Sequence, residues 1–413
     1  MAVFETVEQN NAVLPLIKVL LYALWLKTET IMKKIAILGA TGSVGTQAQD
    51  VALMRGYEVD FLSSNSDVNN TESAARRFKP RFVAMADEAA ASELKVRLAD
   101  TDTRVLFGKE GILYGIQETQ ADTVVNSILG EAGLLPTLEV IKNKKRLALA
   151  NKESLVIAGD IVMAEAEREG VEILPVDSEH SAIFQSLKSG SRSEIKRILL
   201  TASGGPFFGK TKEELTRVSL EETLAHPTWK MGKKITVDSA TLMNKGFELI
   251  EAVHLFSVGA EKIEILIHRE SILHSAVEYA DNAVIGEMSV PDMRACVQYA
   301  VDYPERREAV IEPLDFTSLS RLSFAKPDTE AFPLLTLARR AAADGGAMGA
   351  VLNAADEEAV SAFLKGKLSF AGISDVVIST YEKMTDASKL SSLCDILDAA
   401  KEARQIAKSY IKE

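Results

Sequence analysis

Cysteine is almost absent from this 413-residue chain, which has only Cys296 and Cys394 and no Cys-x-x-Cys pair. That excludes a cysteine-cluster zinc site and a disulfide framework, and it fits a reducing cytoplasm. Cys296 falls in the helical run Met293 to Tyr299 and reads as a small buried hydrophobe, not a nucleophile. Positive charge is also in deficit: 47 Lys and Arg against 59 Asp and Glu leave a net charge of −12. This balance argues against nucleic acid or an anionic membrane as the main partner, while a locally basic pocket could still take an anionic small substrate. Long hydrophobic runs are missing as well. The apolar stretch 12–26 is interrupted by Pro15 and Lys18 and is too short to span a bilayer. Glu5 and Glu8 before it are unlike the basic start of a secretory signal. Met32-Lys33-Lys34-Ile35 reads as a natural chain start, so residues 1–31 are set aside as an extension of unknown role.

What is present is an ordinary globular composition, 47% hydrophobic and 26% charged, in a chain long enough for two or three domains. From Lys33 to Val176, short apolar runs alternate with helical patterns: strands at 33–38, 57–62, 82–85, 104–107, 123–126, 146–150 and 171–176, and helices at 45–53, 69–78, 88–99, 133–143 and 153–169. This alternation predicts βαβ units in a doubly wound, Rossmann-like parallel sheet. After residue 190 the pattern becomes α+β, with strands at 195–201, 262–268, 275–279 and 283–288 and a turn at Asp281-Asn282. Pro313 and Pro327 bracket an aperiodic linker, and from Phe332 the chain is helical, with Gly345-Gly346 and Gly372 as breaks. The expected division is therefore a dinucleotide-binding domain at 32–177, a catalytic and dimerisation domain at 178–312, a linker at 313–331 and a helical domain at 332–413.

Chemistry concentrates in a few short segments. Gly39-Ala40-Thr41-Gly42-Ser43-Val44-Gly45 follows the first strand and opens the first helix, where glycines allow a tight turn and close approach of backbone amides to a pyrophosphate. At the end of the second strand, Ser63-Ser64-Asn65-Ser66 offers small neutral hydrogen-bonders suited to a 2′-phosphate, which favours NADP over NAD despite Asp67. Two further strand ends carry Asn151-Lys152-Glu153-Ser154 and Asp177-Ser178-Glu179-His180. A cap on the helix behind Asp177 needs one oxygen, so Glu179 is surplus to it. If a helix starts near Asn244, then Asn244, Lys245 and Glu248 share a face. Asp177, Glu179 and Glu248 would then make either an all-oxygen site for Mg²⁺ or Mn²⁺ or a solvated ion-pair network. The long connection from Ser203-Gly204-Gly205-Pro206 to His226-Pro227-Thr228-Trp229, about 203–233, has the character of a lid, and Ser239, Thr241, Asn244 and Lys245 are donors of the kind that hold a phosphate.

These segments, with Asp238 to Gly246 and Val290-Pro291-Asp292-Met293-Arg294, resemble the 1-deoxy-D-xylulose 5-phosphate reductoisomerases in order and spacing from residue 32 to about 400. The resemblance implies an NADPH- and divalent-metal-dependent homodimer. Its substrate would be a small phosphorylated sugar, rearranged and reduced to 2-C-methyl-D-erythritol 4-phosphate in non-mevalonate isoprenoid synthesis. It further implies that Asp177, Glu179 and Glu248 bind the metal and that Lys152 and Ser178 contact the substrate. Ser203, Ser239, Asn244 and Lys245 would hold its phosphate, with His226 and Trp229 closing over it. Thr41, Gly42, Ser43, Val44, Asn151, Glu153 and Gly232 would contact NADPH, joined by Asn65 and Ser66 of the second-strand turn. Three positions depart from the family pattern: Phe208 stands for a usual Arg, Thr228 for a usual Asn and Asp356 for a usual Asn. A semialdehyde-type dehydrogenase would need a nucleophilic cysteine opening a helix, which neither cysteine provides. A regulatory NADP-binding protein would need neither the carboxylates nor the lid.

Overall fold

The structure, a computed structural model, describes residues 33–227, 229 and 232–411. The extension 1–31 and Thr228 lie outside the described residues. Seven strands form the first sheet: β1 (Lys34–Leu38), β2 (Glu58–Ser64), β3 (Phe82–Met85), β4 (Arg104–Phe107), β5 (Thr123–Asn126), β6 (Arg146–Leu149) and β7 (Ile173–Pro175). They run parallel in the order β4-β3-β2-β1-β5-β6-β7, so the winding reverses between β1 and β5. Both faces are covered, which is why these strands read as continuous apolar runs instead of alternating ones.

The connecting helices are α1 (Ser43–Arg55), α2 (Val68–Phe78), α3 (Glu88–Arg97), α4 (Gly108–Glu118), α5 (Leu134–Lys142) and α6 (Glu153–Glu169). Helix α4 is absent from the sequence-based expectation because Gly108, Gly111 and Gly115 mask its helical period. Gly115 is there for packing, since a Cβ would come within 2.3 Å of the Phe61 ring.

Helix α7 (Ser178–Ser186) leads into a second, mixed sheet of β8 (Ile195–Ala202), β9 (Ile263–Ile267), β10 (Leu273–Tyr279) and β11 (Val284–Met288), ordered β11-β10-β8-β9. Between β8 and β9 run α8 (Lys212–Leu215), α9 (Leu220–Leu224), α10 (Lys233–Ala240) and α11 (Met243–Phe256). Helix α12 (Arg294–Asp302) returns to the first sheet, where Val297, Ala300 and Val301 join the core beneath α1 to α3. Cys296 is buried, as its pattern predicts.

The aperiodic stretch after α12 is tied to the end of β9 by the bridge Ala325 to Ile267 and by Ser323, which bonds His268 and Glu270. The remainder is helical: α13 (Pro333–Asp344), α14 (Met348–Leu364), α15 (Phe370–Lys383) and α16 (Leu393–Tyr410). The break expected at Gly372 is displaced. Ser369 caps α15 by accepting from the Gly372 amide (3.1 Å), so Gly372 sits in the first turn and the interruption is at 365–369. Helix α14 is buried along most of its length and packs on α6, α10, α15 and α16.

Candidate active site

The glycine turn lies at the reversal point of the first sheet. Gly42 is the N-cap of α1, and no acidic side chain or side-chain cap occupies that end. Its amides and dipole are thus left for an anion. A Cβ at Gly45 would lie 2.1 Å from the Gly39 carbonyl oxygen, so the helix can approach the strand only with glycine there. At the end of β2, Ser63 and Ser64 are buried with hydroxyls that have no protein partner, while Asn65 and Ser66 are exposed. Asp67, the one acid of the turn, is engaged elsewhere: it caps α2, accepting from the Asn70 amide (3.1 Å) and side chain (2.6 Å).

Lys152 and Asp177 stand at the N-termini of α6 and α7, directly behind β6 and β7. Asn151 fixes the first of these. Its Oδ1 accepts from the Ser154 amide (3.0 Å), and its Nδ2 donates to Ile128 O (2.7 Å), Gly130 O (3.0 Å) and Glu153 (3.0 Å). Asp177 does what the cap reading and the site reading each require. Oδ1 accepts from the Ser178 amide (3.0 Å), while Oδ2 is 2.5 Å from Lys152 Nζ.

Helix α11 does start near Asn244, and it brings the third carboxylate in. Lys152 Nζ donates to Asn244 Oδ1 (2.8 Å) and Glu248 Oε1 (3.1 Å), and Asn244 Nδ2 also reaches Glu248 Oε1 (2.5 Å). Lys245 Nζ donates to Glu179 Oε1 (2.7 Å) and to Glu248 Oε2. Ser178 Oγ donates to Glu179 Oε2 at 2.5 Å.

Burial opposes charge on Lys152, but Asp177 and Glu248 outweigh it and hold its pKa well above the usual value. Burial, then Glu179, pushes Glu248 up. Three carboxylates against two ammonium groups leave the cluster with excess negative charge, and its oxygens are hard donors. This fits a divalent cation held by oxygen. Among the described residues, Asp177, His180 and Glu248 bring ligand atoms within 4.8 Å of one another, while Glu179 Oε1 is held by Lys245.

His180 has other duties. Its Nε2 donates to the Glu248 carbonyl (2.9 Å), and Nδ1 faces Glu251 Oε2 at 3.5 Å. Burial, then the charge of Asp177, pushes the Glu251 pKa well above its usual value. Sequence reasoning quoted His180 but missed Glu251, whose signal was its place one turn beyond Glu248.

The lid begins on left-handed Gly204 and Gly205. Ser203 Oγ is 3.1 Å from His226 Nε2 and accepts from the Gly205 amide at 3.3 Å; His226 Nδ1 accepts from the Trp229 amide at 2.9 Å. Because Nδ1 accepts, Nε2 carries the ring proton, and the Ser203 O–H is left to donate. Burial, then the charge of Arg269, brings the His226 pKa down to about 4, so the ring is neutral at pH 7. Arg269 was not anticipated. Its Nη1 clamps the lid start through Ser203 O (3.1 Å) and Gly205 O (2.6 Å), and its guanidinium lies 5.4 Å from the Phe208 ring. Its position two residues beyond the end of β9 was the available clue. Ser239 lies buried on α10, and Gly232 caps that helix.

A dinucleotide at the reversal point would lie outside the carboxyl ends of the same strands that deliver Lys152 and Asp177. Fold and site together define a dinucleotide-dependent oxidoreductase. Comparison with known proteins makes the class particular. Family models described as 1-deoxy-D-xylulose 5-phosphate reductoisomerase, its C-terminal domain, and DXP reductoisomerase C-terminal domain match residues 35–159, 173–256 and 288–406. The reductoisomerase of Caldanaerobacter subterraneus subsp. tengcongensis is 49% identical over 385 residues, 92% of this chain and all of the relative. That of Acetivibrio thermocellus is 48% identical over 384 residues, with the same coverage. Among solved structures, the Zymomonas mobilis enzyme in complex with NADPH superposes with TM-score 0.86 at 41% identity, covering 92% of this chain and 99% of the other. A DOX-P reductoisomerase in complex with NADPH, fosmidomycin and magnesium gives 0.85 at 38% identity, covering 92% and 98%. The chain belongs to the 1-deoxy-D-xylulose 5-phosphate reductoisomerase family.

Proposed function

We propose that this chain converts 1-deoxy-D-xylulose 5-phosphate to 2-C-methyl-D-erythritol 4-phosphate with NADPH, in the non-mevalonate isoprenoid pathway. The observation that carries this reading is the largely buried cluster in which Lys152 and Lys245 bridge Asp177, Glu179 and Glu248 at the carboxyl ends of β6 and β7. We assign the metal to these three carboxylates, with Mg²⁺ or Mn²⁺ as the ion; displacement of Lys245 from Glu179 frees that third ligand. A bound divalent cation supplies Lewis-acid polarisation of the substrate ketone. Lys152, freed toward the substrate, stabilises developing enolate charge, and Ser178 orients the hydroxyketone.

The phosphate is assigned to Ser203, Ser239, Asn244 and Lys245. The free O–H of Ser203, set by neutral His226, supports its share of that role. Trp229, bonded to His226, shuts the lid and excludes water from the reacting carbons. Thr41, Gly42, Ser43 and Val44 take the pyrophosphate, and Asn65 and Ser66 take the 2′-phosphate. Asn151, Glu153 and Gly232 shape the nicotinamide end, Asn151 through the loop it ties down.

The domain division 32–177, 178–312, 313–331 and 332–413 remains our working one. Homodimerisation is assigned to β11, an edge strand with Val284 52% and Ile285 38% exposed. The sparse cysteines support a cytoplasmic location, and no helix among the described residues is long and apolar enough to cross a membrane.

The test is product formation from the deoxy sugar phosphate with each cofactor. Because Asp67 is committed to its cap, kcat/KM should favour NADPH over NADH at least tenfold, about 1.4 kcal/mol. Equal efficiency with both would contradict the cofactor assignment.

A further inference from the structure

The departure Asp356 creates a buried arrangement that the reaction above does not use. Lys234 on α10 reaches two carboxyl groups at once, Asp238 Oδ2 at 2.5 Å on its own helix and Asp356 Oδ2 at 2.8 Å on α14. The two acids are buried (side chains 3% and 0% exposed), while Lys234 keeps 30% of its side chain exposed. Asp238 Oδ1 and Asp356 Oδ1 have no hydrogen-bond partner. Two buried carboxylates cannot both be balanced by one ammonium. The further charges facing the pair worsen the balance: Glu153 from α6 and Glu357 on α14 are both acidic. Glu357 is itself paired with Arg404 of α16. Helix α11 presents the Phe247 ring, 4.8 Å from Lys234 Nζ, and turns Lys245 and Glu248 into the metal cluster instead. Helix α9 keeps Glu221 and Glu222 in solvent.

We propose that Asp356 is a positioning residue for the phosphate-holding helix: Asp356 and Asp238 share one proton against Lys234, and this latch holds α10 on α14. The helix begins at Gly232, where the lid ends, and carries Ser239 directly after Asp238. The inference therefore rests on the assignment of Ser239 to the substrate phosphate. Burial, reinforced by Asp356, raises Asp238 well above the usual carboxylate range. A group raised in the folded state contributes stability that is present below its unfolded pKa and lost as pH rises through its folded value. Rising pH, once it passes that raised value, leaves the pair doubly charged and loosens α10. An amide at 356, as the family pattern has, needs no shared proton.

The test uses the full chain with saturating NADPH and Mg²⁺. KM for the sugar phosphate and kcat are followed from about pH 7 to about pH 9 in wild type, Asp356→Asn and Ser239→Ala, with thermal melts over the same range. The substrate phosphate is already a dianion there, and His226 is neutral throughout. In wild type, KM should rise at least roughly threefold across the range while kcat changes less than about twofold. Asp356→Asn should flatten the KM rise and lessen the alkaline fall in melting temperature. Superimposable KM profiles for wild type and Asp356→Asn overturn the proposal. So does a difference confined to the melts, which would make the pair a stability element only. A profile that depends on added K⁺ or Na⁺ would replace the proton by a cation and also overturn it. Ser239→Ala with unchanged KM would overturn the phosphate assignment alone, and the Asp356→Asn profile would still decide the latch.

Discussion

Glu179 and Glu248 share the Lys245 arm, and Glu248 also takes Lys152. Glu248 has Lys152 and Asn244 on one oxygen and Lys245 on the other, whereas Glu179 has Lys245 and Ser178. If the cluster were only an ion-pair network, Glu179→Gln would be nearly silent, because an amide oxygen can still accept from Lys245. In the proposed role as ligands of a hard cation, the two residues and Asp177 would each contribute a charged oxygen that an amide cannot replace. Glu179→Gln, Glu248→Gln and Asp177→Asn should each lower kcat/KM at least a hundredfold, about 2.7 kcal/mol. High Mn²⁺ should recover part of the loss, with NADPH affinity nearly unchanged by fluorescence titration. Near-normal activity of both glutamine variants at low Mn²⁺ would leave the network reading standing. Much of this site was legible, because Asp177, Glu179 and Glu248 announce themselves by surplus: each strand end or helix face carries more charge than folding requires. The partners were not. That Lys152 bonds Asn244 is a contact across 92 positions, which no local pattern encodes.

At the level of elements, the turn from β1 into α1, the proposed cofactor site, is fixed by shape more than charge. Gly45 lies inside the helix, so its φ does not demand glycine; only the 2.1 Å approach of a would-be Cβ to Gly39 O does. Gly45→Ala should therefore push α1 off the strand and misplace the amides that meet the pyrophosphate. NADPH affinity should fall at least about tenfold. The helical content by circular dichroism should hold, since alanine is the better helix former. An unchanged Kd for NADPH would show that the helix can shift without moving those amides. Elements with a clear apolar run were readable in advance, β1 to β7 above all. Helix α4 was hidden by its glycines, and the break at 365–369 was misassigned to Gly372 because a capping serine three residues earlier moves the helix start.

Across the whole molecule, helix α14 ties the parts together. Asp356 reaches α10, Glu357 pairs with Arg404 of α16, and Arg404 also reaches Glu131 in the turn before α5. The helical layer thus touches both α10 and the turn that leads into α5, a relation the aperiodic linker conceals in the sequence. The central claim is that the carboxylate–lysine cluster, and not the dinucleotide fold alone, performs the reaction. The most direct check is NADPH oxidation at saturating 1-deoxy-D-xylulose 5-phosphate, before and after exhaustive chelation, followed by Mg²⁺ or Mn²⁺ addition. The account predicts oxidation coupled one-to-one to methylerythritol phosphate, loss of at least about 99% of the rate on chelation, and recovery on adding either ion. NADPH oxidation that continues undiminished in the chelated protein would contradict it.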